Sequence, residues 1–291
     1  MAPPCGWRAL CGSSRRGKTG GRWLRTPPSS LNGNLILELN MNRAAVALLI
    51  CWTAWAFASR GETAENAPLT RPDFARFSRE AAWAMSGVAR TNLAPVYPYL
   101  AEFIVQKYCL TNQSGIGVDI GGGPGSLVME LSRRAPGFYW INTDINTFHA
   151  EAFFRNALTN DCAGRVGLVF ADVHHLPFRD GYADLVVSRG SMPFWADPQA
   201  ALAEIYRVLK PGGNAFIGRG FSPNLPLEVA RQVRANQGDK VPKYEAGDAM
   251  EQLRGHLRAL GIKEFEIIRP RTDQTEVNYG VWAHFRKPGG N

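Results

Sequence analysis

The chain has 291 residues, 45% of them hydrophobic and 20% charged. That balance excludes an intrinsically disordered chain, a collagen-like repeat and a polytopic membrane protein. The length fits one ordinary domain with extensions, or two small ones. The net charge of +8 would by itself suggest a nucleic-acid partner, but residues 1–60 hold eight basic side chains and one acid, Glu38, leaving 25 basic and 24 acidic groups in residues 61–291. The body is nearly neutral, and its charge implies no polyanion-binding surface and no nucleic-acid partner.

Residues 1–40 are rich in Gly, Pro, Ser and Arg and show no apolar periodicity. They cannot bury enough surface to offset chain entropy and read as a disordered leader or an over-long start. Residues 41–60 open with Met41-Asn42-Arg43 and continue in an apolar run from Ala44 to Ala58, closed by Ala56-Phe57-Ala58. The run is short for a bilayer span but suits the apolar region of a signal peptide, with a small-x-small cleavage pattern behind it. Two other readings stay open: an organelle transit peptide, since the first 37 residues carry Arg and Ser but no acid, and a short membrane anchor through 44–58. Cys5, Cys11 and Cys51 lie in this leader. Only Cys109 and Cys162 lie in the body, without metal-ligand spacing, and they read as small apolar residues rather than a disulfide.

Residues 61–114 read as N-terminal helices that form a lid. Phe74, Phe77, Ala81, Ala84, Met85 and Val88 recur at helical spacing, as do Leu100, Phe103, Ile104 and Tyr108, with Pro95 and Pro98 breaking the two segments apart. From Gly115 the pattern alternates. Apolar runs bounded by Gly and Asp predict buried parallel strands at Ile116–Ile120, Phe138–Thr143, Val166–Phe170, Asp184–Ser188 and Ala215–Gly218. Helices are predicted between them at Ser126–Arg134, Thr147–Leu158 and Pro198–Leu209. Glu264–Ile268 and Tyr279–Phe285 follow each other with no helix between, which predicts an antiparallel pair at the sheet edge. Residues 115–291 therefore read as an α/β domain, an open, doubly wound, Rossmann-like sheet with helices on both faces.

The chemistry is carried by a glycine loop and by acids at strand ends. Gly117–Gly125 reads GVDIGGGPG, where a strand gives way to a helix. Gly121, Gly123 and Gly125 let the backbone bend sharply and approach a ligand with no Cβ in the way. The dinucleotide fingerprint would need a sixth-position glycine where Ser126 stands, and Pro124 removes a donor from a phosphate cradle. The pattern that fits is acid-x-Gly-x-Gly-x-Gly with Asp119 as the acid. Asp144 ends the next strand, and Asp172 ends the third. Leu176–Asp184 reads LPFRDGYAD, and Glu204–Gly213 reads EIYRVLKPGG. Singly, Asp119 reads equally as a turn cap, Asp144 as a strand-end polar residue and Asp172 as the start of an Asx turn. Together these five ordered motifs resemble the class I S-adenosylmethionine-dependent methyltransferases, most closely the small-molecule branch that includes the quinone-biosynthesis enzymes.

That resemblance implies a seven-stranded sheet, mostly parallel with an antiparallel last strand, and methyl transfer from S-adenosylmethionine to a small-molecule acceptor. It implies cofactor binding by Asp119, Gly121, Gly122, Gly123, Gly125, Asp144, Ile145, Asp172, Val173 and Ser188, with Asp144 at the ribose and Asp172 with Val173 at the adenine. No metal is required. Ligands of open α/β sheets sit beyond the strands' carboxyl ends, which makes His174, Arg189 and Trp195 candidates for the acceptor pocket. No catalytic base is assigned. The segment Phe221–Gly247 is a second candidate lid, with Tyr97 and Tyr244 as residues that could reach inward. A methyltransferase fold retained only as a binding module is the alternative, and a nucleotide-dependent oxidoreductase fails on the missing glycine. A leader suited to export or membrane attachment sits uneasily with a cofactor held on the cytoplasmic or organelle-matrix side.

Overall fold

A computed structural model describes residues 77–237, 245–272 and 277–290. The readings made for residues 1–76, and for Tyr244, lie outside the described residues. In chain order the elements are α1 (Arg79–Arg90), α2 (Val96–Lys107), β1 (Gly115–Ile120), α3 (Ser126–Arg134), β2 (Phe138–Asp144), α4 (Ala150–Thr159) and β3 (Val166–Phe170). There follow β4 (Ala183–Arg189), α5 (Pro198–Val208), β5 (Leu209–Gly220), α6 (Leu227–Gln237), α7 (Ala246–Ala259), β6 (Phe265–Ile268) and β7 (Gly280–Arg286).

The strands form a single seven-stranded sheet in the order β3-β2-β1-β4-β5-β7-β6. The first five are parallel, and β7 enters antiparallel between β5 and β6. The chain winds outward from β1 to β3, then returns to the other side of β1 at β4. The carboxyl ends of β1 and β4 thus flank the point where strand order reverses, which in such sheets opens a crevice.

Two cores fill the two faces. On one, α5 and α7 bury Leu202, Ile205, Leu253 and Leu257 against Val118, Val186 and Ile217. On the other, α2, α3 and α4 bury Leu100, Ile104, Leu131 and Phe153 with Trp140, Phe216 and Trp282. Each such side chain stabilises the fold by about 1.5–3 kcal/mol when fully buried. Trp282 stacks on Phe216 at 4.6 Å and 9°, and its Nε1 donates to the Phe221 carbonyl at 3.0 Å. A third cluster joins Leu93 and Val96 to Phe221, Leu225 and Val233. The two segments read as lids therefore pack on each other. Among its described residues the second holds helix α6.

Three expectations need correction. α1 buries Ala82, Ser86 and Ala89, whereas Met85 and Val88, on the predicted apolar stripe, are exposed. The start of α1 lies against the turn at 147–149, with Arg79 over the Phe148 ring and Asn146 Nδ2 donating to the Ser78 carbonyl. Pro98 does not break α2. It lies in the first turn, where a backbone N–H has no intrahelical acceptor to lose. β5 starts at Leu209, well before the predicted Ala215, so that Lys210–Gly213 belongs to the strand.

The Glu204 motif proves to be a clamp. Arg207 donates to both carboxylate oxygens of Glu204 at 2.7 Å, to Asp180 at 2.6 Å and to the Leu176 carbonyl at 3.2 Å. Glu204 accepts the Leu176 N–H at 2.8 Å. Asp184 likewise accepts from the Ile116 N–H and from Lys210, both at 2.7 Å. These charged residues lock the approach to β4 onto α5 and β5. Cys109 is exposed and Cys162 buried, both as free thiols.

Candidate functional site

The glycine loop turns out of β1 through two residues in the left-handed region, Gly121 at φ +66° and Gly123 at φ +55°, and enters α3 through Gly125 at +79°. Neighbouring elements close in on Gly121, Gly122 and Gly125, while Gly123 keeps room for a side-chain carbon. A Cβ at Gly121 would overlap the Ser191 side chain, one at Gly122 would overlap Asn142, and one at Gly125 would meet the Phe153 ring at 2.6 Å. The loop is held from β2: Gly122 N–H donates to the Thr143 carbonyl at 3.0 Å, and Asn142 Nδ2 donates to the Gly123 carbonyl at 3.0 Å. Thr143 Oγ1 donates to the Asp119 carbonyl at 2.9 Å.

Asp144 stands at the tip of β2 and is half-buried. Its Oδ2 accepts the Gly123 N–H and its Oδ1 the Asn146 N–H, each at 2.8 Å. A carboxylate has about four lone-pair sites, so each oxygen keeps capacity for a ligand hydroxyl. Asp119 lies beneath Gly122, 1% exposed, and its Oδ1 has no hydrogen-bond partner. Burial pushes its carboxyl well above the ordinary carboxylate range. The Asp144 charge pushes the same way, and Arg189 pulls it back.

Asp172 lies two residues beyond the Asp144–Phe170 pairing and, with one oxygen, forms the local turn its residue type favours, accepting the His174 N–H at 3.0 Å. Val173 is buried beside it, and Ile145 is half-buried just past Asp144. His174 is held at both ring nitrogens, Nδ1 2.5 Å from Asp172 Oδ1 and Nε2 accepting the Asp197 N–H at 3.1 Å. It is a strut between the turn at Asp172 and the start of α5, with both ring nitrogens engaged. Ser188 is fully buried, its hydroxyl donating to the Ile120 carbonyl at 2.9 Å. That bond ties the end of β4 to the end of β1. Trp195 Nε1 donates to Ser191 Oγ at 3.2 Å, and that oxygen in turn donates to Ile120.

Arg189 closes β4, its Cζ 5.5 Å from the centroid of the Tyr97 ring. Among the expected site residues, the glycines, Asp119 and Asp144 form one unit. Ser188 and Trp195 form a second around Ser191, and Asp172 with His174 forms a third. Three residues were not expected from the sequence: Asn142, Ser191 and His149. His149 is buried with its ring 3.6–3.9 Å from where a Gly123 Cβ would stand, and its Nδ1 has no partner. Burial lowers its pKa, and the Asp144 charge works against that. Its only sequence signal is its place five residues after the strand-tip acid.

The arrangement offers an open backbone bend and a carboxylate for neighbouring hydroxyls, with an orphaned buried oxygen beneath them. That donor and acceptor set fits an adenosyl ligand bearing a cationic tail. Among the described residues no cluster of His, Cys, Asp and Glu is placed to hold a metal, and no helix is long and apolar enough to cross a membrane.

Residues 118–217 match the family model of a methyltransferase domain. The chain is 32% identical to the ubiquinone/menaquinone biosynthesis C-methyltransferase UbiE of Cupriavidus pinatubonensis, over 67% of this chain and 69% of that protein. It is 30% identical to the chloroplastic 2-methyl-6-phytyl-1,4-hydroquinone methyltransferase of Spinacia oleracea (71% and 61% covered). Identity is also 30% to the mitochondrial arginine-hydroxylase NDUFAF5 of Mus musculus (63% and 53%). The chain thus spans between about half and three-fifths of the length of several of its curated relatives. A solved protein of Methanococcus maripaludis, assigned as an S-adenosyl-L-methionine-dependent methyltransferase, superposes with a TM-score of 0.65 at 32% identity, covering 74% of this chain and 95% of that one.

Proposed function

The chain belongs to the class I S-adenosylmethionine-dependent methyltransferases, and on that premise we propose that it methylates a small organic acceptor seated between the glycine loop and the segment 189–195. Bound in this cleft, S-adenosylmethionine supplies a methyl group already activated on sulfur. The chain's own work is to bind, orient and exclude water. Asp144 accepts the ribose hydroxyls with the lone pairs its backbone donors leave over. Asp172, Val173 and Ile145 border the adenine. The backbone of Gly121–Gly125 lines the methionine end, with Asp119 beneath it as a neutral, buried support. Arg189 and Trp195 flank the acceptor. His174, engaged at both nitrogens, holds the adenine-side turn and takes no proton from the acceptor.

The observation that carries this reading is the joining of β1 and β2 at their tips: Asp144 and the glycine bend are bonded to each other at the point where strand order reverses. The quinone-ring chemistry in the names of the Spinacia and Cupriavidus relatives supports a flat, ring-bearing acceptor. The murine relative's name supports a second reading, hydroxylation of an arginine. Calorimetry with S-adenosylmethionine tests cofactor binding. Release of S-adenosylhomocysteine over a panel of phenols, quinones and thiols tests turnover. Cofactor binding without release from any of them, or mass spectrometry showing a hydroxylated arginine, would overturn small-molecule methylation.

A further inference from the structure

Arg189 sits at the switch point without a salt bridge: no carboxylate pairs with it among the described residues, and its Nε is buried without a hydrogen-bond partner. The buried Asp119 feels the Arg189 charge, but no salt bridge or hydrogen bond joins the two, and Asp119 Oδ1 and Arg189 Nε are both left without a partner. Tyr97, over whose ring Arg189 lies, is a phenol that keeps its proton at neutral pH. It supplies a π face and a donor, not a negative charge. Arginine stays ionised at every physiological pH, and a partly buried, unpaired guanidinium is costly in the free protein. Its planar fork presents parallel N–H donors that match a carboxylate. The wall that follows, with Phe194 76% exposed and Trp195 tied to Ser191, offers flat apolar surface beside that charge.

We infer that the methyl acceptor carries an anionic oxygen group, a carboxylate on a flat ring, received by Arg189 with Tyr97 alongside. The inference rests on the methyltransferase reading and adds to it the charge of the acceptor. The same charge could instead face the aminocarboxylate tail of the cofactor, and the two sources separate experimentally.

Full-length protein saturated with S-adenosylhomocysteine is titrated with benzoate and with benzamide, which differ in charge at nearly constant shape. Benzoate is expected to bind about tenfold more tightly. Arg189→Gln should remove that preference, Arg189→Lys should keep part of it, and Tyr97→Phe should weaken benzoate by about threefold. The lysine and phenylalanine variants keep the test alive should the glutamine variant fail to fold. The inference is overturned by equal binding of the two probes in the unaltered protein, or by a preference that survives Arg189→Gln. It is also overturned if Arg189→Gln weakens S-adenosylhomocysteine while 5′-methylthioadenosine, which lacks the aminocarboxylate, binds as before. Failure of the unaltered protein to bind S-adenosylhomocysteine would instead strike the parent reading, and the same two probes on the free protein would still report on Arg189.

Discussion

Asp144 Oδ2 accepts the backbone N–H of Gly123 at 2.8 Å, so the strand-tip acid proposed to receive the ribose also fastens the glycine bend. The two roles cannot be separated by removing the side chain. Asp144→Ala should weaken S-adenosylmethionine by about 1.5–3 kcal/mol, the loss of a charged hydrogen-bond acceptor, and should also lower the melting temperature. Asp144→Asn, which keeps one carbonyl acceptor, should recover part of the melting temperature and less of the affinity. Calorimetry and thermal melts on the two variants read this directly. Unchanged affinity in the alanine variant would remove Asp144 from the ribose.

Two glycine-to-alanine changes should act in opposite directions. Gly121 lies at φ +66° with Ser191 where its Cβ would go, so Gly121→Ala combines about 1–2 kcal/mol of left-handed strain with a steric overlap. Gly87 lies inside α1 with open space around it, so Gly87→Ala should stabilise by about 0.5–1 kcal/mol. Chemical denaturation of both variants should show the opposite signs.

Trp282 holds β7 in the sheet by stacking on Phe216 and bonding Phe221. Trp282→Ala should cost about 3–5 kcal/mol and leave the Phe221 carbonyl unpaired. A loss below about 1 kcal/mol in denaturant titration, within the range of an ordinary surface substitution, would mean that the inserted strand is held by its backbone ladder alone.

Acid should destabilise the domain from neutrality downward. His284 is half-buried against the Tyr108 ring and bonded to Asn214. Burial, with help from Lys107 and Arg286 and against Glu266, lowers its pKa from 6.5 to about 4. The unfolded chain takes up the proton near pH 6.5, the folded chain only near 4. The folded state's advantage is therefore full above pH 6.5 and is lost as the pH falls toward 4. His149, also lowered, acts in the same direction. Asp119, raised, acts oppositely: the cost of burying it grows as the pH climbs above the ordinary carboxylate value. Melting temperatures measured from pH 7 down to pH 4.5 should fall, and His284→Gln should flatten the slope. Parallel slopes would exclude His284 as a source.

The sequence by itself determined the order of the strands and helices and the place of the acids along them. Parallel strands covered on both faces are continuous apolar runs, so Val166–Phe170 matches β3 in full and Phe138–Thr143 falls one residue short of β2. Asp119 and Asp144 are legible because each belongs to its strand's carboxyl end. Only the tertiary structure decided which groups those acids meet. Ser188 stands at the expected strand end, yet its hydroxyl turns inward to Ile120, a residue of another strand. α1 carries an apolar stripe whose Met85 and Val88 the fold leaves exposed, burying Ala82, Ser86 and Ala89 instead. His149 enters the site, and Arg207 becomes a clamp, through partners supplied by other elements. Spacing along one chain places a residue on its own element, whereas the partner that gives its side chain a task is chosen when the layers pack.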